Sequence, residues 1–321
     1  MAVLGGMRVV ALEEHYWDPE IASHFEGTEG RSSELRKRLD DVGSLRLHEM
    51  DEAGIDLQVL SHGNPGVQRM DAATAVPLAQ RANDGLFETI SAYPDRFAAF
   101  ATLPTPDPEA AADELERTVK ELGFKGALVN GPTNGVFFDD RRFWPICERA
   151  QALDVPIYLH PATPPKAVVD IYFQDYAADF PGLRTAAWGF TIDTATQAVR
   201  MVLSGVFEAY PNLKIIVGHL GESVPFSLWR INDGLNRPGN KGIAFRDIFC
   251  RNFWITTSGN FSTPALMCCL MEMGVDRILF SVDYPFVENA PGTKWMANLP
   301  LGAEDRQKIL NGNATRLLRL A

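Results

Sequence analysis

Residues 8–15 read RVVALEEH: an apolar run over 9–12 that ends in two carboxylates and an imidazole. A continuous apolar run of this kind is expected of a strand buried on both faces, as in a parallel sheet. Seven more follow: IDLQVLSH (55–62), FAAFATLP (97–104), FKGALVNG (124–131), VPIYLHP (155–161), KIIVGHLG (214–221), FWITTSGN (253–260) and ILFSVDYP (278–285). Helical patterns separate them, over 72–92, 108–123, 143–153, 194–209, 222–235, 263–273 and 303–310. Pro108 opens and Gly123 closes the second of these, the usual punctuation of a helix. Eight strand–helix units predict one α/β domain over 1–321, a (β/α)8 TIM-type barrel. A doubly wound open sheet is the alternative. It would carry a glycine-rich phosphate loop after its first strand, where this chain has LEEHYWDP (12–19).

The 321 residues are 46% hydrophobic and 22% charged, which places the chain among folded globular proteins rather than disordered ones. Thirty basic against 41 acidic residues leave a net charge of −11. That balance argues against nucleic-acid and anionic-membrane partners, which need basic patches. It suits a bound cation. No stretch reaches the roughly 20 apolar residues of a membrane span, and MAVLGGMRVV (1–10) lacks the basic and apolar regions of a signal peptide. Cys147, Cys250, Cys268 and Cys269 show no C-x-x-C spacing and read as reduced thiols of a cytoplasmic protein.

Two connections exceed the rhythm. Residues 16–46 follow the first run and carry RSSELRKRLDD (31–41); residues 162–193 follow the fifth and hold Tyr172, Phe173, Tyr176, Phe180, Trp188 and Phe190. Long connections in a compact domain are often lids or binding loops. In a barrel both rise from the C-terminal face, where active sites lie.

The ends of the runs concentrate the chemistry. Side chains two apart on a strand share a face, so Glu13 and His15 are expected to point together to the barrel mouth. The fifth run ends in His160, the sixth in His219 and the eighth in Asp283. Imidazoles and carboxylates converging on one rim suit a divalent metal: zinc, manganese or iron. Taken singly, each has a plain structural reading: a hydrogen-bonded histidine, a solvated carboxylate, a turn-initiating aspartate. Four of the six histidines at run ends argue against coincidence. The second run ends in His62, which is expected to face the pocket.

The motifs ALEEH (11–15), YLHP (158–161), GHLGE (218–222) and SVDYPF (281–286) together resemble the amidohydrolase superfamily, and within it the branch of metal-dependent aromatic acid decarboxylases. The likeness runs along nearly the whole chain, through RLHEMDEAGIDLQVLS (46–61) and NFWITTSGNFSTPAL (252–266). It implies that Glu13, His15, His160 and Asp283 bind the metal. It implies that His219 and Glu222 form a catalytic pair beside it, with Glu222 opening the next helix. Arg230 becomes a partner for a substrate carboxylate or for Glu222, and Asn130, Trp188 and Phe286 become pocket walls. A homodimer or homotetramer acting on a small aromatic acid is implied as well. Two departures from many hydrolytic members of the superfamily matter, and they leave one metal, zinc or manganese, as the expectation. The first motif is E-x-H rather than H-x-H, and the fourth run ends in Asn130 rather than in a bridging lysine, which favours one metal over two. His62 stands where the related decarboxylases tend to be apolar.

Decarboxylating an aromatic acid leaves electrons that the ring cannot hold as a bare anion. Protonating the carboxylate-bearing carbon first avoids this, and Asp283 is expected to supply the proton. The same residue types suit a second reading, metal-dependent hydrolysis of a lactone, ester or amide. A barrel that binds without catalysing is a third, disfavoured because an open coordination site makes a poor structural one.

Overall fold

The structure, a computed structural model, describes residues 4–25 and 33–320. Among the described residues, nine strand segments run in parallel around one barrel: β1 Val10–Tyr16, β2 Leu57–His62, β3 Phe97–Ala99, β4 Ala101–Thr102, β5 Ala127–Asn130, β6 Pro156–His160, β7 Lys214–Val217, β8 Phe253–Thr256 and β9 Ile278–Leu279. β3 and β4 are two parts of one barrel strand. Between them Phe100 donates to Leu60 O at 2.9 Å, and Ala101 donates to Gly126 O at 2.9 Å, so the two halves of the barrel are stitched there. Closure between β9 and β1 is different in kind: the His15 N–H reaches Tyr284 O at 2.6 Å, and side chains do the rest. The expected eight-stranded barrel is therefore present.

Strand residues sort by face. Val10, Leu12, Leu57, Val59, Ala98, Phe100, Leu128, Tyr158, Ile216 and Leu279 fill the barrel interior, and Ala314, Leu317 and Leu318 of the helix Asn313–Leu318 join them. Their neighbours Ala11, Leu60, Ala99, Val129, Ile157, Leu159 and Ile215 pack outward under the helices. Every such position is buried, which is why the runs read as continuous rather than alternating. β1 breaks the alternation. Its register with β2 shifts by one residue between Ala11 and Glu14. Because of this bulge Glu13 and His15 face the interior above Leu12, although simple alternation from Val10 and Leu12 would turn them outward.

Helix ends follow their caps. The Asp71 carboxylate accepts the Thr74 N–H at 3.0 Å ahead of Ala72–Ser91, and Asp107 accepts the Ala110 N–H at 3.1 Å ahead of Pro108–Lys120. The helix expected over 194–209 begins earlier, as Gly189–Leu203, and resumes as Val206–Ala209 after Gly205 at φ +87°. The long connections are not simple loops. Pro19–Ser23, Ser33–Asp40 and Ser44–Ala53 are helical in the first, whose residues 26–32, with the start of RSSELRKRLDD, lie outside the described residues. Lys166–Tyr172 and a 3₁₀ turn at Pro181–Arg184 occupy the second. The strand expected over 278–285 ends at Leu279, because the chain beyond it turns through Asp283 at φ +73°. All four cysteines are unpaired. Among the described residues no helix is long and apolar enough to cross a membrane.

Candidate metal centre

Four side chains from three strand ends meet at the barrel mouth. Glu13 and His15 come from β1, His160 ends β6, and Asp283 lies in the turn after β9; one ligand-capable atom from each falls within 4.8 Å of all the others. His15 Nε2 lies 3.3 Å from Asp283 Oδ1, and His160 Nε2 lies 3.4 Å from Glu13 Oε1. The two imidazoles meet edge to face, 4.7 Å between centroids. Glu13, His15 and His160 are buried. A buried carboxylate oxygen needs a partner, yet Glu13 Oε1 has no hydrogen bond. Two imidazoles and two carboxylates around that oxygen fit one divalent cation. The residues that could hold a metal are thus Glu13, His15, His160 and Asp283.

Hydroxyl groups orient these side chains. Glu13 Oε2 accepts from Tyr158 OH and Ser258 Oγ, and from Thr256 Oγ1 at 3.4 Å, which leaves Oε1 to face the cluster. Ser61 Oγ lies 3.2 Å from His15 Nδ1. Gly218 provides the clearance: a Cβ there would sit 2.6 Å from Glu13 Oε2. Outer hydrogen bonds of this sort fix ligand orientation and basicity. None of Tyr158, Thr256, Ser258 or Ser61 was picked out by the sequence reading. The signal for them was the strand parity itself, which places all four on the inward face.

His219 stands beside the cluster. Its Nδ1 is 2.8 Å from Glu222 Oε1, and its Nε2 is 3.7 Å from Asp283 Oδ2. Thr191 Oγ1 donates to Glu222 Oε2 at 2.7 Å. Glu222 does not open the next helix, which starts at Val224; it lies in a turn where His219, Leu220, Gly221, Glu222 and Ser223 all have positive φ. That turn bends the carboxylate back onto the imidazole. Burial opposes a charge on His219, but the carboxylates of Glu222 and Glu13 outweigh it and hold its pKa well above that of an ordinary histidine. Burial also raises the Asp283 carboxyl, yet hydrogen bonds from His15 and His219 bring it well below the usual carboxylate range. Burial and the neighbouring His15 push His160 well below the ordinary value. Both shifts, upward for His219 and downward for Asp283, favour the charged forms of these two groups.

A recess of about 510 Å³ opens over His219, Glu222 and Asp283, with Trp188 and Phe261 among its walls. Phe286 stacks edge-on against His15 at 5.6 Å. Asn130, buried at the end of β5, donates through Nδ2 to His62 O at 3.2 Å. Two expected site residues lie elsewhere. His62 pairs with Tyr16 across the β1–β2 ladder and packs against its ring at 5.5 Å, because Ser61 takes the inward position. Its Nδ1 lies 2.8 Å from Gly63 O, and burial pushes its pKa down to about 4. Arg230 is exposed on the helix Val224–Leu235, outside the recess; Thr191 rather than Arg230 holds Glu222.

Comparison with known proteins agrees with this arrangement. Residues 15–320 match the profile of the amidohydrolase family. The chain is 44% identical to a gamma-resorcylate decarboxylase of Polaromonas sp. (strain JS666 / ATCC BAA-500), over 97% of this chain and 98% of that one. Its structure superposes on the crystal structure of a dihydroxybenzoic acid decarboxylase from Polaromonas sp. JS666 with bound manganese and the inhibitor 2-nitroresorcinol, at a TM-score of 0.90, 42% identity, and coverage of 98% and 97%. A 5-carboxyvanillate decarboxylase from Sphingomonas paucimobilis superposes equally well, at a TM-score of 0.90 and 34% identity, covering 98% of this chain and 100% of that one. A barrel of this topology, with this cluster at its mouth and a family match across nearly its whole length, belongs to the amidohydrolase family.

Proposed function

We infer that the chain catalyses the metal-dependent, non-oxidative decarboxylation of a hydroxybenzoate-like aromatic acid. The observation that carries this reading is the convergence of Glu13, His15, His160 and Asp283 within 4.8 Å, next to His219, whose Nδ1 lies 2.8 Å from Glu222 Oε1. The decarboxylase activities named for its relatives support it. Those four residues would hold one divalent cation, manganese or zinc, which would supply positive charge to offset the negative charge of the acid substrate. The manganese bound in related structures favours the first of the two.

The residues of the chain divide the remaining work. His219, kept cationic by Glu222, holds the proton 3.7 Å from Asp283 Oδ2. Asp283 receives that proton and passes it to the ring carbon that bears the carboxylate. A C–H bond forms there; the C–C bond to the carboxylate then breaks, its electron pair returns to the ring, and CO2 leaves. Neutral His219 regains its proton from solvent. Asn130, Trp188 and Phe286 serve as walls that hold the ring, and the exposed aromatic side chains of 172–188 as the rim of the entrance. We read residues 1–321 as a single catalytic domain. Phe226, Trp229 and Met271, exposed at 84%, 70% and 85%, support self-association into a homodimer or homotetramer. The unpaired cysteines support a cytoplasmic location.

The test is turnover of 2,6-dihydroxybenzoate and related acids by the manganese-loaded protein in heavy water. Release of CO2, with one deuterium on the carbon that lost the carboxylate, is the expected result. Water oxygen entering an acid or alcohol product, with no CO2, would establish the hydrolase instead.

A further inference from the structure

We propose that Glu14 is a positioning residue, clamping the turn that carries Asp283 against the strand that carries Glu13 and His15. The bulge in β1 leaves Glu14 on the outward face, opposite Leu60, between two residues that point inward. It is fully buried all the same. Its carboxylate accepts three hydrogen bonds from the β9 turn: the Val282 N–H at 2.9 Å, the Tyr284 N–H at 3.0 Å and Ser281 Oγ at 3.0 Å. The two N–H groups flank Asp283, which sits at φ +73°, a backbone conformation that a non-glycine residue keeps only when its surroundings impose it.

Ser281 works from the other side of the same seam. Its hydroxyl accepts the Glu13 N–H at 2.7 Å while donating to Glu14. These side chains occupy the place of a backbone ladder between the last and first strands. Arg46, itself fully buried, backs the clamp: it donates to His15 O, and its guanidinium lies 4.7 Å from the Tyr284 ring centroid. Glu14 has no route to the cation itself, since its oxygens are taken up by the turn. It acts through Asp283, by setting where that carboxylate stands relative to Glu13 and His15.

The inference rests on Asp283 as a metal ligand, and its test separates the two. The full chain is stripped with a chelator and titrated with manganese by calorimetry. Glu14→Gln keeps an acceptor for one N–H but turns its amide hydrogens on the other. Its manganese Kd is expected to weaken by roughly 10- to 100-fold, the usual cost of disturbing a ligand's hydrogen-bonded support. In an Asp283→Ala background the same change should weaken binding no further. Asn252→Ala, which removes buried hydrogen bonds to Pro211 O and Leu213 O on the outer wall, should lower Tm and leave the manganese Kd unchanged. Should Glu14→Gln not fold, Ser281→Ala is read by the same criteria. An unchanged manganese Kd, or losses that add with Asp283→Ala, overturns the clamp alone. Parental affinity in Asp283→Ala overturns the ligand assignment and the clamp with it.

Discussion

β6 and β1 both deliver candidate metal ligands, and they do it by different means. β6 lies in a regular parallel ladder with β5, from Ala127↔Ile157 to Asn130↔His160, so the position of His160 follows directly from strand register. β1 keeps its register with β2 only up to a bulge, and its other edge meets β9 through the carboxylate of Glu14 and the hydroxyl of Ser281. A regular ladder places a side chain through backbone hydrogen bonds that any sequence can make. An irregular seam needs particular side chains, and each of these then matters to ligand geometry. The hydroxyl cradle on Glu13 belongs to the same pattern.

Four substitutions probe that contrast. The largest effect is expected from His160→Ala, which removes a candidate ligand and leaves the β5–β6 backbone ladder untouched. The protein should fold, emerge from gel filtration without metal, and show no turnover; metal retained at the parental level would remove His160 from the centre. Next is Asp283→Asn. The amide oxygen can still face a cation, so metal should be kept in part, while kcat falls by roughly 10² to 10⁴ for want of a proton carrier. Decarboxylation at near the parental rate would reassign the proton to His219 alone.

Tyr158→Phe tests the cradle. It deletes one donor to Glu13 Oε2 within an otherwise intact β6. Manganese affinity should drop by roughly 10-fold, at the lower end of the range for such supporting groups, with a loss of about 1 kcal/mol in stability. If affinity holds and only stability moves, Glu13 is placed by the backbone, and the contrast between β6 and β1 narrows.

The smallest effect on the metal centre is at His62, where stability alone is expected to change. His62 has a folded pKa of about 4, below the ordinary histidine value, because burial disfavours its charge. The unfolded chain therefore binds more protons between about pH 6.5 and 4, so stability rises with pH across that window and is lost as pH falls through it. That histidine accounts for on the order of 3 kcal/mol of the loss. Chemical denaturation of His62→Gln from pH 7 to 4 should show a flatter acid limb than the parent. Equal slopes would mean that His62 is not kept neutral by the β1–β2 ladder.

The barrel was legible in the sequence because double burial makes parallel strands continuously apolar, and eight such runs separated by capped helices admit few other folds. The candidate ligands were legible for a related reason. His160, His219 and Asp283 close runs whose C-terminal ends all face one rim, whatever the details of packing. Glu13 and His15 came out of the two-residue spacing, but the reason they point inward is the bulge, which no local pattern announces. Tertiary structure also decided the roles of the neighbours. Strand parity turned His62 away and brought Ser61 in. A run of positive φ angles folded Glu222 back onto His219, and the short β9 gave way to a turn held by Glu14. Periodicity reports which face of an element is buried, because that depends on each residue's own environment. It does not report a shift of register or a side chain standing in for a ladder, because both arise only when two distant strands meet.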